Sequence, residues 1–191
     1  MFSALARTLV KKAIQSGAIE AADEEIYFFG AKMFFSQSLH LGTFILMAVY
    51  TNALWEGLCF FFSYMGIRIN AGGWHAPSNL ICFCSSTLTN LFVLLLLSHT
   101  PLHLCVPLAL FFCLLSVLVI RKYAPVENPI VPMDAIEQKV YRARSLYATT
   151  LICAFALGAV LGGLPRFAYS FGLALLTESA LLLICVLQRH K

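Results

Sequence analysis

Six apolar stretches, separated by short polar connections, dominate the hydrophobic pattern of this chain. They cover residues 33–54, 57–69, 80–98, 102–120, 146–164 and 167–187. A helix that rises 1.5 Å per residue needs about 20 apolar residues to cross a hydrocarbon core about 30 Å thick. The pattern therefore predicts about six membrane-spanning helices. The second stretch is short, so we expect it to thin the bilayer or to be partly re-entrant.

The N-terminal segment, residues 1–22, has apolar residues at helical spacing beside a basic face. The apolar positions are Phe2, Leu5, Leu9 and Ala13, and the polar positions are Arg7, Lys11 and Gln15. This pattern predicts an amphipathic helix over residues 2–16 that ends at Gly17. Such a helix either lies on an anionic membrane surface or packs on the helix bundle. The acidic run 23–25 then predicts the start of the next helix.

The composition assigns the whole chain to the membrane class. Of its 191 residues, 60% are hydrophobic and 12% are charged, whereas soluble domains are about 25% charged. We therefore predict one all-α polytopic membrane domain over residues 1–191. With six crossings, every Lys and Arg except Arg166 falls on the side of the N-terminus, as the positive-inside rule requires. Both termini and the connections 66–79 and 121–145 are then expected in the cytosol.

One polar connection carries the candidate chemistry, because it brings a histidine and a cysteine close together in sequence. His75 and Cys82 are seven residues apart, and one continuous helix would separate them by about 10.5 Å of rise, too far for proton transfer. Gly72-Gly73 interrupts the helix before His75. A new helix is expected to begin at Pro77, with Ser78 or Asn79 as alternative caps. His75 can then fold back over the first turns that carry Cys82.

This arrangement suits a nucleophilic thiol. A thiolate is stabilised near a helix N-terminus and near cations such as Arg68. His75 is the candidate base, and the N–H groups of the first helical turn can receive an oxyanion. Arg68 can alternatively hold a substrate carboxylate, and Ser86 lies one helical turn beyond Cys82. Taken alone, a single His–Cys pair is a weak signal that also fits a plain helix connection.

Several residues in this connection resemble the signature of the accessory gene regulator protein B (AgrB) family. The shared positions are Arg68, Gly72-Gly73, His75-Ala-Pro-Ser and Cys82, with a Tyr123-Ala-Pro loop, Pro132 and Glu178 as further similarities. These are membrane cysteine endopeptidases of bacteria. The resemblance implies that Cys82 is the nucleophile, that His75 is its partner, and that Arg68 and Gly73 support the site.

The resemblance also implies a substrate and a product. The family cuts a short AgrD-like propeptide through an acyl-thioester, which a side chain of the peptide captures to give a thiolactone or lactone autoinducer for quorum sensing. It further implies the bacterial cytoplasmic membrane with its lipid and no nucleic acid, and it is compatible with a homodimer, for which Gly158-x-x-x-Gly162 offers a small-residue face. Two departures concern the grip on the peptide. Ile69 stands where family members often have a basic residue, and the stretch before Pro132 lacks the lysines that are frequent there. Lys139, Arg142 and Arg144 either take over the binding of the peptide or serve only as the positive charges that set the orientation in the membrane.

The remaining polar residues leave other functions open. Glu178, Gln37 and His40 lie within apolar stretches, where interior polar contacts are expected because an unpaired charge in a membrane is costly. A small peptide exporter lined by Glu178 and His40 is the main alternative to the protease. Cys84 is expected to pack, and without a CxxC motif a thiol oxidoreductase is disfavoured. No cofactor or metal is expected, because His99 and His103, four residues apart, straddle Pro101, and no second His or Cys pair stands at metal-ligand spacing.

Overall fold

A computed structural model describes residues 3–72, 78–126 and 133–189 of the chain, and within them it is all-α. In these described ranges seven α-helices follow one another, with a 3₁₀ turn at Ala21–Asp23: α1 Ser3–Gln15, α2 Glu24–Tyr50, α3 Leu54–Ala71, α4 Asn79–His99, α5 Leu102–Tyr123, α6 Ala135–Leu161 and α7 Pro165–Arg189. The described residues contain no strand, only an isolated bridge between Gly72 and Val126. The predicted all-α class is confirmed.

Among the residues that the structure describes, five helices are long and apolar enough to cross a membrane, namely α2 and α4 to α7. Many of their large apolar side chains are exposed, Leu46, Phe92 and Leu114 among them, as helices in contact with lipid require. The predicted second span corresponds to α3, which has 18 residues and contains Glu56 and Arg68. It is not one of the five, so its crossing and the orientation of the termini stay predictions.

The structure shortens the predicted polar connections, since three helices extend beyond their apolar stretches. Helix α2 begins at Glu24, within the acidic run 23–25 that predicted its start, α3 continues to Ala71, and α6 begins at Ala135 instead of residue 146. The first turn of α6 explains its early start. Asp134 accepts hydrogen bonds from the N–H groups of Ile136 and Glu137, both at 2.7 Å. The Glu137 carboxylate accepts one from the Asp134 N–H at 3.1 Å, which completes a capping box.

Helix α1 bears out one of the two alternatives that its sequence left open, packing on a neighbouring helix, while its binding to a membrane surface stays a prediction. Ala6 and Val10 are buried, whereas Leu5 and Leu9 are exposed. The guanidinium of Arg7 lies 5.2 Å from the ring centre of Phe28, a cation–π distance. Packing therefore uses one side of α1 and leaves a second apolar side uncovered. The predicted end at Gly17 is confirmed, because this glycine adopts a positive φ of 73°.

The chain divides into two compact units. One comprises residues 1–47 and 76–91, and the other comprises residues 48–75 and 92–191. The second unit has a buried cluster that joins α3, α5, α6 and α7 with the segment after α5, and it includes Ile67, Ile120, Val126, Ile152 and Leu182. This unit also holds α5 very close to α7. A Cβ placed on Gly172 would lie 3.0 Å from the Cα of Ala109, so only glycine fits there without adjustment.

Candidate active site

Cys82 lies one turn into a capped helix. The Ser78 hydroxyl accepts a hydrogen bond from the Ile81 N–H at 3.3 Å, and its carbonyl accepts the Cys82 N–H at 3.0 Å. Ser78 is therefore the N-cap of α4, which was one of the alternatives drawn from the sequence, while Pro77 lies outside the described residues. The cap places Cys82 where the positive end of the helix dipole stabilises a thiolate.

The thiol of Cys82 is accessible, as a nucleophile must be. Cys82 is exposed, and Ser85 donates its hydroxyl to the Cys82 carbonyl at 3.0 Å. Ser86, the predicted neighbour, is half-buried on the same helix. The expectation that Cys84 packs is wrong, because this residue is exposed as well. Exposure alone therefore does not show which of the two cysteines is the nucleophile. Cys82 differs from Cys84 because it lies closer to the N-cap of the helix.

The proposed partner of Cys82 cannot be located in this structure. His75 and Gly73 lie outside the described residues, so the His75–Cys82 pairing stays a prediction. A different histidine lies in the same unit as Cys82. The imidazole of His40, on α2, is 4.8 Å from the ring of Phe83, measured between ring centres. The sequence predicted an interior polar contact for His40, and the contact found is with an aromatic ring.

Arg68 and Glu178 form an ion pair between α3 and α7. Arg68 Nη1 lies 3.8 Å from Glu178 Oε1, and the Glu178 side chain is fully buried. An acidic group without water needs a partner of opposite charge, since its desolvation is costly. The prediction that Glu178 faces the interior and is neutral or paired is confirmed. The sequence did not identify Arg68 as the partner, because nothing in a single sequence links positions 68 and 178.

Arg68 also contacts the backbone at the end of its own helix. Its Nη1 donates to the Gly72 carbonyl at 2.7 Å. Gly72 has a φ of 74°, a conformation that favours glycine. The backbone here pairs with the segment after α5, since the Val126 N–H donates to the Ala71 carbonyl at 3.0 Å. A Cβ on Gly72 would overlap the Val126 carbonyl oxygen, so this close approach requires glycine.

The predicted basic residues Lys139 and Arg142 line one cavity of about 400 Å³. Its lining combines the end of α5 with the start of α6: Lys122, Tyr123, Ala124, Pro125, Gln138, Lys139 and Arg142. Arg142 Nη2 donates to the Arg121 carbonyl at 3.3 Å. The Lys122 ammonium lies 5.0 Å from the ring centre of Tyr123. Three cations therefore surround a space that can accept an anionic group.

Arg144 does not belong to this cavity. Its guanidinium lies 5.9 Å from the ring centre of Tyr141, and Arg144 is absent from the cavity lining. The sequence offered Lys139, Arg142 and Arg144 together as replacements for a basic peptide grip. The structure brings the first two of them together with Lys122, which the sequence had treated only as a topology charge.

The helices and their exposed apolar side chains define a multi-pass α-helical membrane protein with an accessible cysteine near a helix N-terminus. A family model described as Accessory gene regulator B matches residues 3–187. The chain therefore belongs to the accessory gene regulator B family, and the resemblance seen in its signature residues is confirmed.

Relatives in Staphylococcus aureus carry the name Accessory gene regulator protein B. The proteins of strains JH9 and JH1 are 34% identical to this chain over 122 residues, which are 63% of this chain and 62% of each relative. The protein of a bovine strain is 32% identical over 122 residues with the same coverage. The matched region thus spans less than two thirds of these relatives. No solved structure matches the chain.

Proposed function

We propose that this chain is a membrane cysteine endopeptidase that processes a quorum-sensing propeptide at the cytosolic face of the bacterial cytoplasmic membrane. The observation that carries the proposal is the exposed Cys82, one turn into the Ser78-capped helix. Family membership over residues 3–187 supports the substrate class. The proposed substrate is an AgrD-like propeptide, and the product is a cyclic thiolactone or lactone.

The reaction begins with proton transfer from the Cys82 thiol to His75, followed by attack of the thiolate on the scissile carbonyl carbon. The N–H groups of Asn79 and Leu80 precede the first intrahelical hydrogen bonds and are candidate donors to the oxyanion. When the intermediate collapses, the C–N bond breaks and His75 protonates the departing amine. The N-terminal part of the peptide then remains on Cys82 as a thioester.

A nucleophilic side chain within the peptide completes the reaction. Its thiol or hydroxyl loses its proton to His75 and attacks the thioester carbonyl, which closes the ring and releases the Cys82 thiolate. The Cys82 thiolate then recovers the proton from His75. An intramolecular nucleophile has a high effective concentration and can outcompete water. The Cys82 sulfur of the thioester leaves readily as a thiolate, so the proposed ring closure uses no cofactor.

The cavity formed by Lys122, Lys139 and Arg142 is the proposed grip for acidic groups of the propeptide. Arginine and lysine bind carboxylates through charge-assisted hydrogen bonds. The cavity volume of about 400 Å³ falls within the range of small ligand sites.

Co-expression with the AgrD-like propeptide encoded beside this chain's gene tests the proposal. Mass spectrometry would search for peptide fragments and for an acyl adduct on the enzyme, in the wild type and in Cys82→Ser, Cys84→Ser and His75→Ala. We expect cleavage and a Cys82 adduct, both lost with Cys82 or His75 and both retained in Cys84→Ser. If cleavage persists in both Cys82→Ser and His75→Ala, this result would falsify the proposal that the chain is a cysteine protease and would favour the transporter alternative.

A further inference from the structure

One arginine in the second unit joins two structural features. Arg68 Nη1 lies 3.8 Å from the fully buried Glu178 carboxylate on α7. The same nitrogen donates to the Gly72 carbonyl at 2.7 Å. The guanidinium therefore connects the buried Glu178 of α7 to Gly72, the residue that follows α3. A guanidinium is more weakly hydrated than an ammonium, so it suits this largely buried position better than a lysine.

Gly72 is held from a second direction. The segment after α5 pairs with it, through the Val126 N–H and the Ala71 carbonyl at 3.0 Å. The oxygen of Val126 approaches Gly72 so closely that no side chain fits. Arg68 and Val126 thus fix both the position and the direction in which the chain leaves α3.

The chain leaving Gly72 leads directly to the proposed base. His75 follows three residues later, and three residues span at most about 11 Å. Gly72 is therefore the described residue from which the chain reaches His75. A displacement of about 1 Å in a catalytic group can lower a rate about 100-fold. A shift of Gly72 is therefore expected to affect the proposed base.

We propose that Arg68 is a positioning residue for the active site, and that Glu178 acts through it. Together they hold the Gly72 carbonyl so that the segment containing His75 starts from one fixed point. This inference rests on the proposed protease function. It replaces the alternative in which Arg68 binds a substrate carboxylate. The Arg68 side chain is only 18% exposed and already contacts Glu178 and Gly72, which leaves little of it for a peptide.

Kinetics under single-turnover conditions separate positioning from substrate binding. The probe is the AgrD-like propeptide, titrated against the wild type, Arg68→Ala, Arg68→Lys and Glu178→Gln, with formation of the Cys82 adduct as the readout. A positioning role predicts that the rate at saturation falls at least tenfold while the half-saturating concentration stays within twofold. A half-saturating concentration raised tenfold, with the saturated rate within twofold, would instead make Arg68 a substrate-binding residue.

The coupling of the two residues gives a second test. If Glu178 acts through Arg68, the variant carrying both Arg68→Ala and Glu178→Gln loses no more activity than Arg68→Ala alone. Additive losses would overturn that part of the proposal. Asn70→Ala is the matched control, because Asn70 also donates a side-chain hydrogen bond to a carbonyl of α3, that of Gly66 at 2.8 Å, without contacting Gly72. We expect wild-type values for this variant.

Hydrogen exchange tests the positioning without any substrate. The Val126 amide is protected by the Ala71 carbonyl, so loosening of Gly72 exposes it. We expect exchange at Val126 to accelerate at least tenfold in Arg68→Ala and Arg68→Lys, but not in Asn70→Ala. Unchanged exchange overturns the positioning role, whatever the activity. A wild type that never forms an adduct refutes the protease function, and in that case the exchange result still decides whether Arg68 holds Gly72.

Discussion

Arg68 and Glu178 are 110 positions apart in the chain, yet Arg68 Nη1 lies 3.8 Å from Glu178 Oε1. The pair connects the end of α3 to the middle of α7. The Glu178 side chain is fully buried and that of Arg68 is 18% exposed, so water solvates neither group well. The two charges therefore depend on each other, and the loss of one leaves the other poorly compensated.

Replacing Glu178 by leucine tests this dependence through stability. Glu178→Leu removes the buried carboxylate that pairs with Arg68, and breaking a buried pair in this way costs about 3–5 kcal/mol. Denaturant-induced unfolding in detergent micelles would measure the change in the free energy of unfolding. The double variant Arg68→Met with Glu178→Leu has no charge to compensate, so we expect it to recover more than half of the loss. A double variant less stable than Glu178→Leu would contradict the pairing.

Gly72 provides a prediction about the backbone with a control on the same helix. Gly72→Ala introduces a Cβ that overlaps the Val126 carbonyl oxygen, at a φ of 74°. We expect a loss of stability of about 1–3 kcal/mol, together with reduced propeptide cleavage. Gly66→Ala is the control, since a Cβ there meets nothing within 4 Å, and alanine favours a helix over glycine by about 1 kcal/mol. Equal thermal unfolding of the two variants would show that the close approach of Gly72 to Val126 is unimportant.

The hydrophobic pattern predicted the helices well and their ends poorly. Apolar runs identify the part of a helix that meets lipid, and α4 and α5 begin and end close to their predicted bounds. Helix α6 continues well beyond its apolar run, because Lys139, Arg142 and Arg144 are good helix formers and Asp134 caps the start. Hydropathy cannot detect such a polar helical extension.

The candidate site was only partly predictable for a different reason. The cap before Cys82 is a local signal, so the sequence indicated it correctly among alternatives. The Arg68–Glu178 pair and the contact between Gly72 and Val126 join distant parts of the chain, and no local pattern records them. Arg68, a residue of the signature, reaches the buried Glu178 through its long side chain.

Close helix packing also depends on a glycine that the sequence did not single out. The Gly158-x-x-x-Gly162 motif indicated a tight face, but a Cβ on Gly158 meets nothing within 4 Å. At Gly172, in contrast, a Cβ would lie 3.0 Å from the backbone of Ala109. We expect Gly172→Ala to push α5 and α7 apart and to destabilise the protein by about 1–3 kcal/mol.

Thermal unfolding in one detergent would compare Gly172→Ala with Gly158→Ala. Gly158→Ala is the control, because it makes the same change in a helix with open space around the glycine. We therefore expect it to have little effect on the melting temperature. A drop in melting temperature for Gly158→Ala that equals the one for Gly172→Ala would refute the packing argument. If Gly158→Ala instead lowers the mass of the detergent-solubilised particle, the motif serves the predicted contact between two copies of the chain.

Charge reversal in the basic cavity tests the proposed grip on the propeptide. Lys139→Glu and Arg142→Glu replace a cation that lines the cavity by an anion, so binding of acidic groups weakens. We expect the half-saturating propeptide concentration for adduct formation to rise at least tenfold, about 1.4 kcal/mol, with the saturated rate nearly unchanged. The wild type should also lose affinity at high salt, because screening weakens exposed charge pairs.

The control for these variants is Arg144→Glu, which makes the same change of charge on the same helix. Arg144 lies outside the cavity, beside Tyr141, so any effect of charge on membrane insertion appears equally in all three variants. A propeptide whose acidic residues are replaced by glutamine or asparagine should bind the wild type and the cavity variants equally. If Arg144→Glu weakens binding as much as Lys139→Glu, the cations act through the general positive charge at the start of α6, and the cavity has no specific role in holding the peptide.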